Sequence, residues 1–236
     1  MTPKENLQEA FEATVTPRME ERGFHYVRSR FTYKRKSGDF IQQISIELSK
    51  YNTRTSIRFW SFFEVTSPKY NRWLKQQRRD SFNGALAGQT DWYVPGFHEP
   101  GDDVTSFVLS PPESPRAVLA DWLGRCFSAG IPYLDRLSTW LGAADDVVRG
   151  GQWRRAADYC LIAGRSDRAI AVLRQGIGVL VAREYSYSQK THPIMIAKKK
   201  RLAAERDAEV AAYRLRIEEI ENSEPLHPAD TERPRG

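Results

Sequence analysis

Apolar and polar residues alternate through three successive segments between residues 23 and 65, and a period of two marks strands with one buried face. In the first segment Val27, Phe31 and Tyr33 share one parity, while Arg28, Arg30, Thr32 and Lys34 share the other. The turn that follows, Lys36, Ser37, Gly38 and Asp39, supplies a glycine able to take positive φ in a short hairpin loop. Phe40, Gln42, Ile44, Ile46 and Leu48 then form one face of a second strand, with Ile41, Gln43, Ser45 and Glu47 opposite. After a polar link, Ile57, Phe59, Phe63 and Val65 line up against Arg58, Trp60, Phe62 and Glu64. Aromatic rings on both faces predict a third strand covered on both sides. Together the segments predict an antiparallel meander.

The flanks read as helix. Leu7, Phe11, Val15 and Met19 recur every four residues over 5–22, with Gly23 as a stop. Pro17 should kink that helix or make Thr16 a boundary between two shorter ones. A short helix is expected over 68–79, anchored by Trp73 and Leu74. The stretch 80–115 is rich in Gly, Pro, Asn and Asp, but its apolar fragments 91–94 and 104–109 suggest two more strands, bringing the sheet to about five. From Ser114, a good N-cap before Pro115, the pattern turns helical: Val118, Leu119, Trp122, Leu123, Cys126 and Phe127 form a stripe ending near Gly130. A second helix over 132–148 carries Leu134, Leu137, Trp140 and Leu141, and a helical hairpin follows over 156–163 and 167–180. That hairpin has the small-residue spacing of a single tetratricopeptide-type pair, short of the roughly three repeats a solenoid needs. The charged segment 197–222 should be one long helix. Ala203, Val210 and Ile217 alternate with Arg206, Tyr213 and Ile220 as a rough seam, read as docking on its own domain in preference to a self-associating coil.

The fold class is therefore α+β: an antiparallel sheet of about five strands packed with helices, then an all-helical C-terminal region. The expected organisation is a sheet region 1–112, a helical region 113–196, the long helix 197–222 and a disordered tail 223–236.

Composition narrows this modestly. A chain of 236 residues suits one or two domains with a proper core. Cys126 and Cys160 sit in apolar helical patterns without a CxxC, so both read as buried thiols. The N-terminal residues do not form a signal peptide, and no apolar run reaches the length of about 18 that a spanning helix needs. No membrane association is expected, and the cytoplasm is the expected location. The net charge of +6 comes from 36 basic against 30 acidic residues. It favours nucleic acid, acidic proteins and anionic surfaces alike.

Candidate chemistry is sparse. His25, His98, His192 and His227 lack metal-ligand spacing. The densest cluster, His98, Glu99, Asp102 and Asp103, could offer oxygen and imidazole ligands, but the intervening Pro100 and Gly101 favour a solvated turn. Asp145 and Asp146 read as a helix-surface pair or a cap. No GxSxG or phosphate-cradling glycine loop occurs, and Gly176 and Gly178 make too short a match for a dinucleotide fingerprint. No cofactor, metal or catalytic residue is expected.

The order of parts resembles the bacterial domain of unknown function 4304 family over residues 8–150. The resemblance rests on an N-terminal helix, a Gly-Phe step into a basic and aromatic strand, and a hairpin to a strand holding Gln42 and Gln43. It continues with a third aromatic strand, Trp92, and a helix ending in Gly130, Ile131, Pro132, Tyr133 and Leu134. Gln42-Gln43 departs from that family's phenylalanine-glutamine pair. The resemblance implies a small α+β domain with no established activity and no catalytic residues to carry over. Two functions follow as expectations. The first is non-catalytic binding of a protein partner, of an immunity, adaptor or regulatory kind. The second is nucleic-acid binding by a basic and aromatic sheet face of Tyr26, Arg28, Arg30, Lys34, Arg58, Trp60 and Phe62, with Lys198 to Arg201 as a second basic cluster. A hydrolase or metal-dependent enzyme is the remote third.

Overall fold

The computed structural model describes residues 2–77, 79–80, 82, 84–98, 106–111, 114–182 and 193–223. The chain divides into two compact units, Met1–Ala143 and Ala144–Gly236.

The first unit is α+β. Helix α1 (Pro3–Thr14) starts from a capping box in which the Thr2 hydroxyl accepts from the Glu5 amide and the Glu5 carboxylate accepts from the Thr2 amide. A break at Val15 separates it from α2 (Thr16–Glu20), whose first turn holds Pro17, so the helix divides at the Thr16 boundary expected from the proline. Leu7, Phe11, Val15 and Met19 are all fully buried. The Phe11 ring lies at the centre of the core, 5.2 Å from Phe31, 5.4 Å from Phe59 and 5.1 Å from Trp122.

The first strand segment differs from its parity pattern. It is two short strands, β1 (His25–Val27) and β2 (Thr32–Ser37), separated by a 3-10 turn over Arg28–Arg30. Phe31 closes the turn at φ 52°, a left-handed conformation that costs a non-glycine residue about 1–2 kcal/mol. Its buried ring offsets that cost, since fully burying a phenylalanine is worth about 1.5–3 kcal/mol. A hairpin thus replaces one continuous strand.

Strands β3 (Phe40–Leu48) and β4 (Ile57–Thr66) form the long centre of the sheet. The order is β1-β2-β3-β4-β5, all antiparallel, with β5 at Ala87–Thr90. A sixth strand, β6 (Phe107–Leu109), pairs with β4 along the same edge as β5. The strand expected over 91–94 is instead a 3-10 turn at Asp91–Tyr93, because Asp91 reaches β4 with its side chain and not its backbone. Helix α3 (Pro68–Gln76) stops before Arg79, and its buried anchors are Tyr70 and Leu74, with Trp73 only half-buried.

Gly130 does not end a helix. Helix α4 (Pro115–Arg125) runs through a π segment, Cys126–Gly130, into α5 (Ile131–Leu137). The Ile131 amide reaches back to the Cys126 carbonyl, the widened turn that defines the segment. Gly130 is required for packing: an added Cβ would lie 2.7 Å from Cζ of Phe63. Gln42, a polar residue on the apolar face of β3, is fully buried and satisfied. Its amide donates to Asp135 at 2.9 Å and Ser138 at 2.8 Å, and its oxygen accepts from Arg35 at 2.7 Å. A break at Ser138 and Thr139 precedes α6 (Trp140–Arg149), so the helix expected over 132–148 is two.

The second unit is helical. The hairpin α7 (Trp153–Ile162) and α8 (Ser166–Ala182) turns at Gly164, φ 72°, where the Arg165 amide donates to the Cys160 carbonyl at 2.8 Å. The long helix α9 (Pro193–Asn222) packs along α8. Val210, Tyr213, Ile217 and Ile220 of its seam are buried, as docking on its own domain requires. Arg174 and Glu221 pair across that packing at 2.9 Å. Both cysteines are buried free thiols. The expected tail lies outside the described residues, apart from Ser223.

Candidate binding surface

Alternation along β3 and β4 gives the sheet two unequal faces. Phe40, Gln42, Ile44 and Ile46 of β3 and Ile57, Phe59, Ser61, Phe63 and Val65 of β4 turn into the core. The other face is not covered on β4 as the paired aromatics suggested: Arg58 is exposed, and Trp60, Phe62 and Glu64 are half-buried. Register assembles that face row by row. Lys34, Gln43 and Glu64 align across β2, β3 and β4; Thr32, Ser45 and Phe62 form the next row; Glu47 lies opposite Trp60, and Arg58 opposite Val108.

Of the seven residues grouped from sequence, Lys34, Arg58, Trp60 and Phe62 share this face. Tyr26 does not: it pairs with the core residue Tyr33, ring centroids 5.0 Å apart. Burial raises its phenol to about 12. Arg28 and Arg30 sit on the 3-10 turn, exposed, and Arg28 pairs with Glu12 at 3.3 Å. The cause is the left-handed Phe31, which breaks the parity on which the single-face grouping depended.

Electrostatics on the remaining face are mixed. Burial pushes the Glu64 carboxyl up, and Lys34 and a hydrogen bond from Gln43 pull it back down. The backbone of Arg58 is held by Asn52, whose side chain accepts from the Arg58 amide at 2.8 Å and donates to its carbonyl at 2.9 Å. This amide clamp fixes the strand where β3 has already ended. Of the other aromatics, Trp92 (41% exposed) and Tyr93 (67%) are accessible, whereas Tyr70 is buried at 2%.

One end of the face deepens into a depression of about 540 Å³ between the β2–β3 turn and the start of α3. Ser67 builds it: its hydroxyl donates to the Asp39 carbonyl at 2.7 Å while accepting from the Lys69 amide. Lys69 pairs with Asp39 at 2.8 Å. The turn and the helix are separate in the sequence, and residues 39 and 67 meet only through the fold.

Among the described residues, Asp91 and His98 bring an acid and an imidazole to 3.8 Å. Asp91 is 1% exposed, and Oδ2 accepts the Ser61 amide at 2.7 Å. It fills the gap along β4 where β5 has ended and β6 has not begun. Ser61 Oγ in turn accepts from Trp122 Nε1 at 2.7 Å. Burial raises the Asp91 carboxyl, against the Ser61 amide and His98. Burial likewise drives the neighbouring Cys126 thiol far up, which leaves it a poor nucleophile. The pair completes a strand edge. Glu99, Asp102 and Asp103, and likewise His192 and His227, lie outside the described residues. Among the described residues no three His, Cys, Asp or Glu side chains gather as metal ligands, and no helix is long and apolar enough to cross a membrane.

No protein-family model, curated protein or solved structure matches the chain.

Proposed function

We propose that this chain is a non-catalytic binding protein that holds an acidic protein partner on the open face of its sheet, in an immunity, adaptor or regulatory role. The observation that carries the reading is the outward side of β4, where Arg58, Trp60 and Phe62 follow one another at alternate positions with Arg58 exposed and both rings half-accessible. A strand whose inner residues already fill the core gains nothing in folding from ring area left toward solvent. Tryptophan and arginine side by side are the residue types that anchor interfaces. Lys34 and Arg58 favour acidic complements, and charge complementarity speeds and orients association. The resemblance to the domain of unknown function 4304 family is part of this reading, as is a cytoplasmic setting, which agrees with two buried unpaired thiols.

Nucleic acid is the weaker alternative. Arg28 and Arg30 are off the face, which leaves too few cations beside its rings to track a phosphate backbone. The test is affinity capture from the native extract, with and without nuclease, using the wild-type chain and an Arg58→Ala/Trp60→Ala/Phe62→Ala variant of verified fold. The proposal expects one acidic protein retained after nuclease and lost with the variant. Retention by the variant overturns it, and capture abolished by nuclease transfers the face to nucleic acid.

A further inference from the structure

The depression at the end of the sheet carries a second inference, which shares only Lys34 with the proposed partner face. We propose that it is a binding site for a small molecule bearing a linear oligophosphate group, held by Lys34, Lys36, Lys69 and Arg72 with His25 at its rim.

The walls come from three separate parts of the chain. His25 lies on β1, Lys34 and Lys36 on β2, and Lys69 and Arg72 on the first turns of α3. Among the described residues, four cations therefore line one concavity against one carboxylate, Asp39, which is already paired with Lys69. Lys34 has Glu64 as a nearby opposite charge. Lys36 and Arg72 are exposed and have no ion pair among the described residues. Cations scattered over a convex surface repel one another little, because water and salt screen them. Gathered into a depression their fields add, and an anion placed there relieves the repulsion.

The α3 N-terminus is not the basis of the site, because Ser67 already caps the Lys69 amide. The shape also speaks for a small molecule. About 540 Å³ lies within the span of roughly 300–1,000 Å³ usual for small-ligand sites. Lys34 and Lys36, two residues apart on one strand face, stand about 7 Å apart by strand geometry. Arg72 adds a planar, multi-donor group suited to phosphate oxygens. Charge distributed over β2 and α3 matches a chain of phosphates better than a single one. Ile41 and Pro68 supply an apolar wall for the organic body.

Sodium tripolyphosphate is the probe, titrated into the full chain at physiological ionic strength by calorimetry, with amide resonances followed in parallel. Saturable one-site binding is expected, with shifts at Gly38, Ile41 and Lys69. Lys36→Gln/Arg72→Gln should raise Kd at least tenfold, whereas Lys50→Gln/Lys75→Gln, which removes the same charge elsewhere, should leave it within twofold. Lys36→Arg checks that the loss follows charge, and it should bind as the wild type does. The proposal is overturned if no saturable binding occurs, if sulfate at matched ionic strength does the same, or if both double variants weaken binding equally. Survival of protein capture in the Lys36→Gln/Arg72→Gln variant separates this site from the partner face.

Discussion

At the residue scale, the side chains that decide this fold are polar groups doing the work of backbone. Asp91 stands where a neighbouring strand would offer a carbonyl, and at 1% exposure its ionised form is costly. Its folded pKa is raised from an ordinary 3.8 by burial. A raised carboxyl contributes stability that is fully present below the unfolded value and is lost as pH rises through the folded one. Asp91→Asn keeps an oxygen for the Ser61 amide but cannot ionise. In urea unfolding across a pH series, the wild type should therefore lose stability relative to Asp91→Asn from pH 3.8 upward. A difference that stays flat with pH would contradict the argument. Gly130 makes the converse case, a side chain whose absence matters. With Phe63 Cζ 2.7 Å from any added Cβ, Gly130→Ala should cost about 1–3 kcal/mol, read from the unfolding midpoint at unchanged m-value. Neither role was visible in the sequence. Asp91 and Ser61 are 30 residues apart, and Gly130 reads as a helix stop until Phe63 is seen against it.

At the element scale, most of the fold was legible because burial and periodicity agree. The α1–α2 stripe, the alternation of β3 and β4 and the α7–α8 hairpin each place their apolar residues where the pattern puts them. The first strand was misread because Val27, Phe31 and Tyr33 keep parity across a turn, and parity cannot register a left-handed residue between two strands. The face it was meant to supply lost Tyr26, Arg28 and Arg30 for that reason. Trp60 and Phe62 were grouped correctly with Arg58, since β4 runs unbroken over ten residues. The hairpin offers a clean test of a turn read correctly. Gly164 has φ 72° and open space around its Cβ position, so Gly164→Ala isolates backbone strain from packing. It should destabilise the α7–α8 hairpin by about 1–2 kcal/mol. Unchanged protection of α7 and α8 amides in hydrogen exchange would show that the turn relaxes to another conformation.

At the scale of the whole molecule, two compact units share one chain, and each carries a core of its own. The helical unit depends on its last helix. Val210, Tyr213, Ile217 and Ile220 bury their side chains there, and burial of one such side chain is worth about 1.5–3 kcal/mol. Four such side chains together represent about 6–12 kcal/mol of burial, the same scale as the roughly 5–15 kcal/mol by which a whole domain is stable. A chain ending at residue 182 removes α9 entirely and leaves α8 with an uncovered apolar side. The part of α8 that α9 packs along would then face water, and an exposed apolar patch promotes association. Amides of α7 and α8 should lose most of their exchange protection in that chain. Those of β3 and β4, which lie in the first unit, should keep theirs. Protection lost in both units would mean that they fold as one cooperative body; protection kept in both would mean that the α7–α8 hairpin stands without α9.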